Sequence, residues 1–362
     1  MKTKKIIVLE VLMLCLAMAV SAKTKIVATI FPEYDWVRQI AGEKNSNVDV
    51  KLLLDNGVDL HSFQPSVKDI ATVGNADIFI YVGGESDEWV KGVLKNAKNK
   101  KLVAINLLEV LGDRVHEEET VEGMEHEHHH DDEAEEEEHE HHHGEAEYDE
   151  HEHHHGEAEH DEHEHHHHEE AEHHHHHDDD EDEIEYDEHV WLSLKNAKIL
   201  CKAIADALCS KDSANAETYR KNLAEYSAKL DRLDNSYAEC VKNSKRNTVL
   251  FGDRFPFRYL TDDYGIKYYA AFTGCSAETE ASFKTVIFLS NKVDELNLPC
   301  ILQIESGNGK LPATIIKNSK SGNVSVLTMD SMQATTSLDV KKGANYLGIM
   351  TQNLEVLKKA LN

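Results

Sequence analysis

Seventy-three consecutive residues of this chain, 116–188, hold hardly an aliphatic side chain. They hold 36 Asp and Glu, no Lys or Arg, and 23 histidines between positions 126 and 177. So little apolar surface cannot offset the entropy of ordering the backbone, which predicts a segment disordered without metal. Within it HEHHHGEAEYDE at 139–150 recurs as HEHHHGEAEHDE at 151–162, with a degenerate copy from His163. That period matches no solenoid unit and reads as low-complexity expansion. Whatever folds must come from the residues on either side, and a chain of 362 leaves enough for two domains.

The same segment dominates the net charge of −30. Without these 36 of its 68 acids, the chain sets 32 acids against 38 bases. The acidity is local, and nucleic acid is excluded as a partner because phosphate binding needs concentrated Lys and Arg. At the N-terminus, Lys2, Lys4 and Lys5 precede a largely apolar run, and Val20 and Ala22 occupy the critical positions of a cleavage site. Residues 1–22 are therefore expected to be an export signal, placing the protein in a periplasm or at the outer face of a cytoplasmic membrane. Glu10 interrupts the run and argues against a permanent span, leaving a lipid tether at Cys15 as the alternative. Cys201, Cys209, Cys240, Cys275 and Cys300 remain after cleavage, an odd number with no Cys-x-x-Cys pair. Cys275 and Cys300 flank strands of one domain and are the expected disulfide.

Short β-branched runs alternate with amphipathic stretches on both sides of the acidic segment. Before it, residues 25–31, 48–54, 77–82 and 102–105 read as strands, with helices over 36–41, 67–73 and from position 89. After it, helices over 194–208 and 214–242 lead into strands at 248–251, 268–272, 300–304 and 324–327, with helices over 283–296 and 343–361. Alternation of this kind predicts parallel sheets with crossover helices. The expected fold is α/β, with two lobes of parallel sheet flanked by helices. The first lobe would cover 23–211, carrying the disordered loop; a long linking helix 212–243; and the second lobe 244–362. Tyr219, Leu223, Tyr226, Leu230, Leu233 and Tyr237 give the linking helix one apolar face. The cleft between such lobes is the expected place for a small ligand.

His61, in GVDLHSFQPS, is the only histidine among the first hundred residues, and His189 begins an ordered element in DEHVWLSL. Neutral imidazole is the commonest side-chain ligand for zinc, so two histidines from one lobe and carboxylates from the other would form a four-coordinate site. Asp253, Glu305 and Asp330 stand near strand ends in the second lobe and are the carboxylates available. In GDRFPFRY at 252–259, the aromatics are expected to pack on the long helix while one arginine pairs with Asp253 or Asp263.

HSFQPS at 61–66 resembles the first-ligand motif of the zinc/manganese-binding solute receptors of bacterial ABC importers, the zinc-uptake type in particular. DEHVWLS at 187–193 is similar to their second-ligand motif, Asp-Pro-His-x-Trp-Leu-Ser; IES at 304–306 and LTMD at 327–330 resemble later segments that end in an acid. Zinc members also carry an acidic, histidine-rich loop before the second ligand. The resemblance implies metal held between the lobes by His61, His189 and Asp330, with Glu305 or Asp253 completing the shell. Zn2+ is the implied ion and Mn2+ the second choice, bound by a monomer that docks on an ABC permease and its ATPase. One departure stands out: the family places a third histidine in a His-Asp-x-Phe context, where this chain has Gly252-Asp253-Arg254-Phe255, so that Gly252 is read as replacing it.

The loop histidines, His128, His129, His130, His141, His142, His143, His153, His154, His155, His165, His166, His167, His168, His173, His174, His175, His176 and His177, offer many weak overlapping sites. They would hold metal near the cleft at high effective concentration, as a scavenger or buffer that lets go between roughly pH 5 and 7. Two other readings compete. A storage protein would use mainly the loop, and His61 would not matter. A zinc hydrolase lacks support, having no His-Glu-x-x-His helix and no Gly-x-Ser-x-Gly turn.

Overall fold

Two hydrophobic runs of β-branched residues seed two sheets of the same winding. The structure, a computed structural model, describes residues 23–42, 45, 47–124, 185–276 and 280–362. The expected export signal and the accessory histidines of the loop lie outside the described residues. In the first sheet β1 (Thr24–Ala28) lies between β2 (Val48–Leu52) and β3 (Ile78–Tyr81), with β4 (Val103–Asn106) beyond β3, and every pairing is parallel. The connections carry α1 (Phe31–Ala41), α2 (Val67–Gly74) and α3 (Trp89–Lys95), and α4 (Leu107–Leu111) follows β4. Pro32 in the first turn of α1 lacks an N–H that would go unpaired there anyway, and the Glu33 carboxylate accepts from the backbone of Thr29 and Ile30 at 2.8 and 3.3 Å.

α5 (Leu194–Lys211) and α6 (Ala216–Lys242) lead to the second sheet. At 27 residues, α6 is roughly 40 Å long, enough to run past both lobes. Its buried face is the aromatic stripe read from the sequence: Tyr219, Tyr226, Leu230, Leu233 and Tyr237. Near its start Asn222 donates to the Ile40 carbonyl of α1; near its end Tyr237 donates to the Met350 carbonyl in the second lobe. The lobes consequently share one continuous core around this helix, with a smaller cluster about Leu250, Leu289 and Ile301 in the second lobe.

The second sheet orders β5 (Thr248–Phe255), β6 (Lys267–Thr273), β7 (Cys300–Ile304) and β8 (Ser325–Met329) as β6-β5-β7-β8, again all parallel. α7 (Arg258–Tyr264), α8 (Phe283–Glu295) and α9 (Lys310–Asn318) cross between them; α10 (Ser337–Lys341) and α11 (Tyr346–Ala360) end the fold. Both sheets place the first strand in sequence second in space. Ligands of such sheets bind beyond the carboxyl ends of the strands, and the loops there carry the chemistry-bearing residues below.

The expected Cys275–Cys300 disulfide does not form, and all five cysteines are free. Cys300 opens β7 whereas Cys275 follows the end of β6, so parallel strands put them at opposite strand ends of the sheet. No helix among the described residues is long and apolar enough to cross a membrane.

Candidate metal centre

His61 sits in a single 3-10 turn, Leu60–Ser62, beyond the carboxyl end of β2. Asp59 caps that turn by accepting from the His61 backbone N–H at 3.1 Å. His189 precedes the turn Val190–Leu192, whose apolar residues are fully buried, and its own N–H donates to Asp187 at 2.9 Å. Motifs 128 residues apart thus deliver two imidazoles to one point, with Nε2 of His61 3.2 Å from Nε2 of His189. Two nitrogens each roughly 2.0–2.1 Å from a tetrahedral zinc lie about 3.3 Å apart, so the spacing is that of a chelating pair.

The outer nitrogens are held. His189 Nδ1 donates to the Asp187 carboxylate at 3.0 Å, and His61 Nδ1 meets the Ser86 hydroxyl at 2.8 Å. Such second partners fix the ring orientation and leave Nε2 to face a metal. Burial pushes His61 down to about 3, with the neighbouring His189 adding to the effect. Burial also opposes charge on His189, yet Asp187, Asp59 and Glu188 together hold it above the usual imidazole value. Charge is thus disfavoured on His61 and favoured on His189, and an ion bound by both rings would displace any proton from Nε2. Gln333, with its amide turned to satisfy every neighbour, donates to Asp59 and accepts from His189 Nε2 at 2.6 Å.

A cavity of about 290 Å³ opens beside the pair, lined by Ser86, Cys275 and the acids Glu85, Glu118, Glu185 and Glu188. Glu188 is 3 % exposed, and its Oε2 has no hydrogen-bond partner while standing 3.5 Å from His61 Nδ1. Burial raises its carboxyl to about 7. An orphaned buried oxygen in an acid-lined cavity suits a cation. The two ends of the acidic segment meet at this mouth: Glu118 N–H donates to the Glu185 carbonyl at 2.8 Å and Asp187 N–H to the His116 carbonyl at 2.9 Å.

The profile of the family described as "ZnuA: Zinc-uptake complex component A periplasmic" matches residues 26–360. The chain belongs to this family. It is 30% identical over 337 residues to the zinc-binding lipoprotein AdcA of Streptococcus pneumoniae, covering 93% of this chain and 56% of that protein, so it spans little more than half of such relatives. It is 28% identical over 339 residues to the high-affinity zinc uptake system protein ZnuA of Bacillus subtilis, covering 94% of this chain and 88% of that one. Among solved structures, the Zn(II)-bound ZnuA-like domain of Streptococcus pneumoniae AdcA superposes with a TM-score of 0.63 at 26% identity, covering 94% and 99% of the two chains.

Gly252, read in the sequence as standing where the family has its third histidine, lies away from the two imidazoles. A side chain at Gly252 would meet Ile301, Ile315 and Pro312, inside the second lobe. A register shift in β5 between Phe251 and Arg254 turns Arg254 towards the cleft instead. Its guanidinium pairs with Asp59 at 2.8 Å, not with Asp253 or Asp263, while Arg258 turns to Glu119 and Asp262. Of the aromatics in this stretch, Phe255 stacks on Tyr268 of β6, Phe257 stacks on Phe251 of β5, and the two meet edge-on.

The three carboxylates expected as ligands are placed as braces. Asp253 accepts from the N–H groups of Arg254 and Ile304 at 2.9 and 3.2 Å. Glu305 accepts from Ser331 N–H at 2.7 Å, the Ser331 hydroxyl and Gln333 N–H at 3.2 Å. Asp330 accepts from Met332 N–H at 2.7 Å, and burial together with Glu305 raises it to about 6. These acids shape the loops that face the histidines and do not join them. Among the described residues, the His, Cys, Asp and Glu side chains whose ligand atoms all come within 4.8 Å of one another are His61, His189 and Cys275. Cys275, Arg254 and Gln333 went unread as site residues; the one usable signal was that each follows or ends a strand of a parallel sheet.

Proposed function

We propose that the chain is an extracytoplasmic zinc receptor that hands its ion to an ABC permease powered by an ATPase. The observation that carries this is the 3.2 Å approach of the His61 and His189 Nε2 atoms with both Nδ1 atoms already engaged. No covalent chemistry is required: zinc binds the two Nε2 atoms and is released on docking. The acidic segment serves as scavenger, its histidines raising the local metal concentration at the cavity where its two ends are pinned together. The test is competition of the full chain against a zinc chelator. One tight site per chain, lost in His61→Ala and in His189→Ala, supports the receptor reading. Many equivalent weak sites unaffected by either change would leave a storage protein.

A further inference from the structure

Resting on that reading, we propose that Cys275 supplies a thiolate ligand to the cleft ion, making the site two imidazoles and one sulfur. Arg254 stands beside the histidine pair and brings Cys275 to it. One face of the guanidinium pairs with Asp59 at 2.8 Å, beside His61. The other donates to the Ser276 carbonyl at 3.3 Å, next to Cys275. Arg254 is thus a strut that draws the loop after β6 onto the histidine pair. Gly274 permits the close approach, since a Cβ there would stand 2.9 Å from His189 Cε1 and 3.0 Å from its Nδ1. Cys275 is further fixed by its N–H, which donates to Glu118 at 3.1 Å.

Glu188, whose buried Oε2 has no hydrogen-bond partner and stands on the Nδ1 side of His61, lines the same cavity as Cys275 with Glu85, Glu118 and Glu185, a lining that favours positive charge. Binding exchanges the thiol proton for the metal and releases it to solvent. Thiolate in the shell selects zinc and other soft or borderline ions over manganese. It also distinguishes the cleft from the acidic segment, which has no cysteine to offer a thiolate.

The test is a cobalt(II) titration of the full chain, followed by the thiolate-to-cobalt charge-transfer band in the near ultraviolet, on the long-wavelength side of the aromatic absorption. The band should saturate at one cobalt per chain, vanish in Cys275→Ser and persist in Cys209→Ser. Zinc affinity in Cys275→Ser should fall by more than the roughly 10–100-fold that loss of an outer partner costs. Cys275→His should recover much of that affinity without the band. A tight site sensitive to His61→Ala but showing no charge transfer overturns the thiolate and leaves the receptor reading standing. Absence of any tight site overturns both.

Discussion

Arg254 in the second lobe and Asp59 in the first form an ion pair at 2.8 Å whose side chains are only 16 % and 20 % exposed. Asp59 also caps the turn that carries His61, so one carboxylate links lobe closure to ligand placement. Arg254→Ala leaves that carboxylate half-buried with part of its charge unmatched. The fold should lose about 1–3 kcal/mol in denaturant unfolding, and zinc affinity should fall with it. Unchanged zinc affinity at reduced stability would show that the pair only clamps the lobes.

Gly274→Ala tests the close approach to His189. The added methyl has no room against the imidazole, so ring or loop must shift. Zinc binding should weaken about tenfold or more, while the far-UV spectrum and the thermal midpoint stay close to those of the parent. A large drop in midpoint would mean that the loop after β6 holds the second lobe together.

Much of this was readable beforehand, and the physical reason differs by level. The sheets follow from β-branched runs, and α6 from an aromatic stripe at helical spacing, both local patterns. α4, α7, α9 and α10 were missed because such short helices owe their existence to neighbours more than to periodicity. His61 and His189 were legible because each begins an ordered element immediately beside core residues. The role of the carboxylates was not legible because an acid at a strand end serves equally to ligate a metal or to cap loop N–H groups, as Glu305 does for Ser331 and Gln333. Cys275 was invisible because only the bulge in β5 and the reach of Arg254 bring it to the histidines.

Stability should depend on pH through Glu33, far from any ligand in sequence. Burial, reinforced by the charge of Asp87, raises this capping carboxyl from 4.5 to about 8. Between those values the folded chain holds a proton that the unfolded chain has released. Stability is therefore greatest below about 4.5 as far as this group is concerned, and declines as pH rises towards 8, by up to a few kcal/mol. Glu33→Gln should flatten that slope in urea unfolding measured from pH 5 to 8. An unaltered slope would place the dependence on other groups.

Bracing and ligation can be separated at Glu305. Saturating zinc at a hundred times its Kd should add about 2.7 kcal/mol to the parent. Glu305→Gln weakens three accepted bonds that hold the 331–333 loop, so the protein without zinc should unfold more easily, by about 1–3 kcal/mol. Excess zinc should still raise the midpoint of this variant, because His61, His189 and Cys275 are intact. His189→Ala should show the opposite pattern, with little or no response to zinc at the same concentration. If Glu305→Gln instead keeps its stability without metal and loses the zinc response, then Glu305 is a ligand and the braced loop moves when the ion arrives.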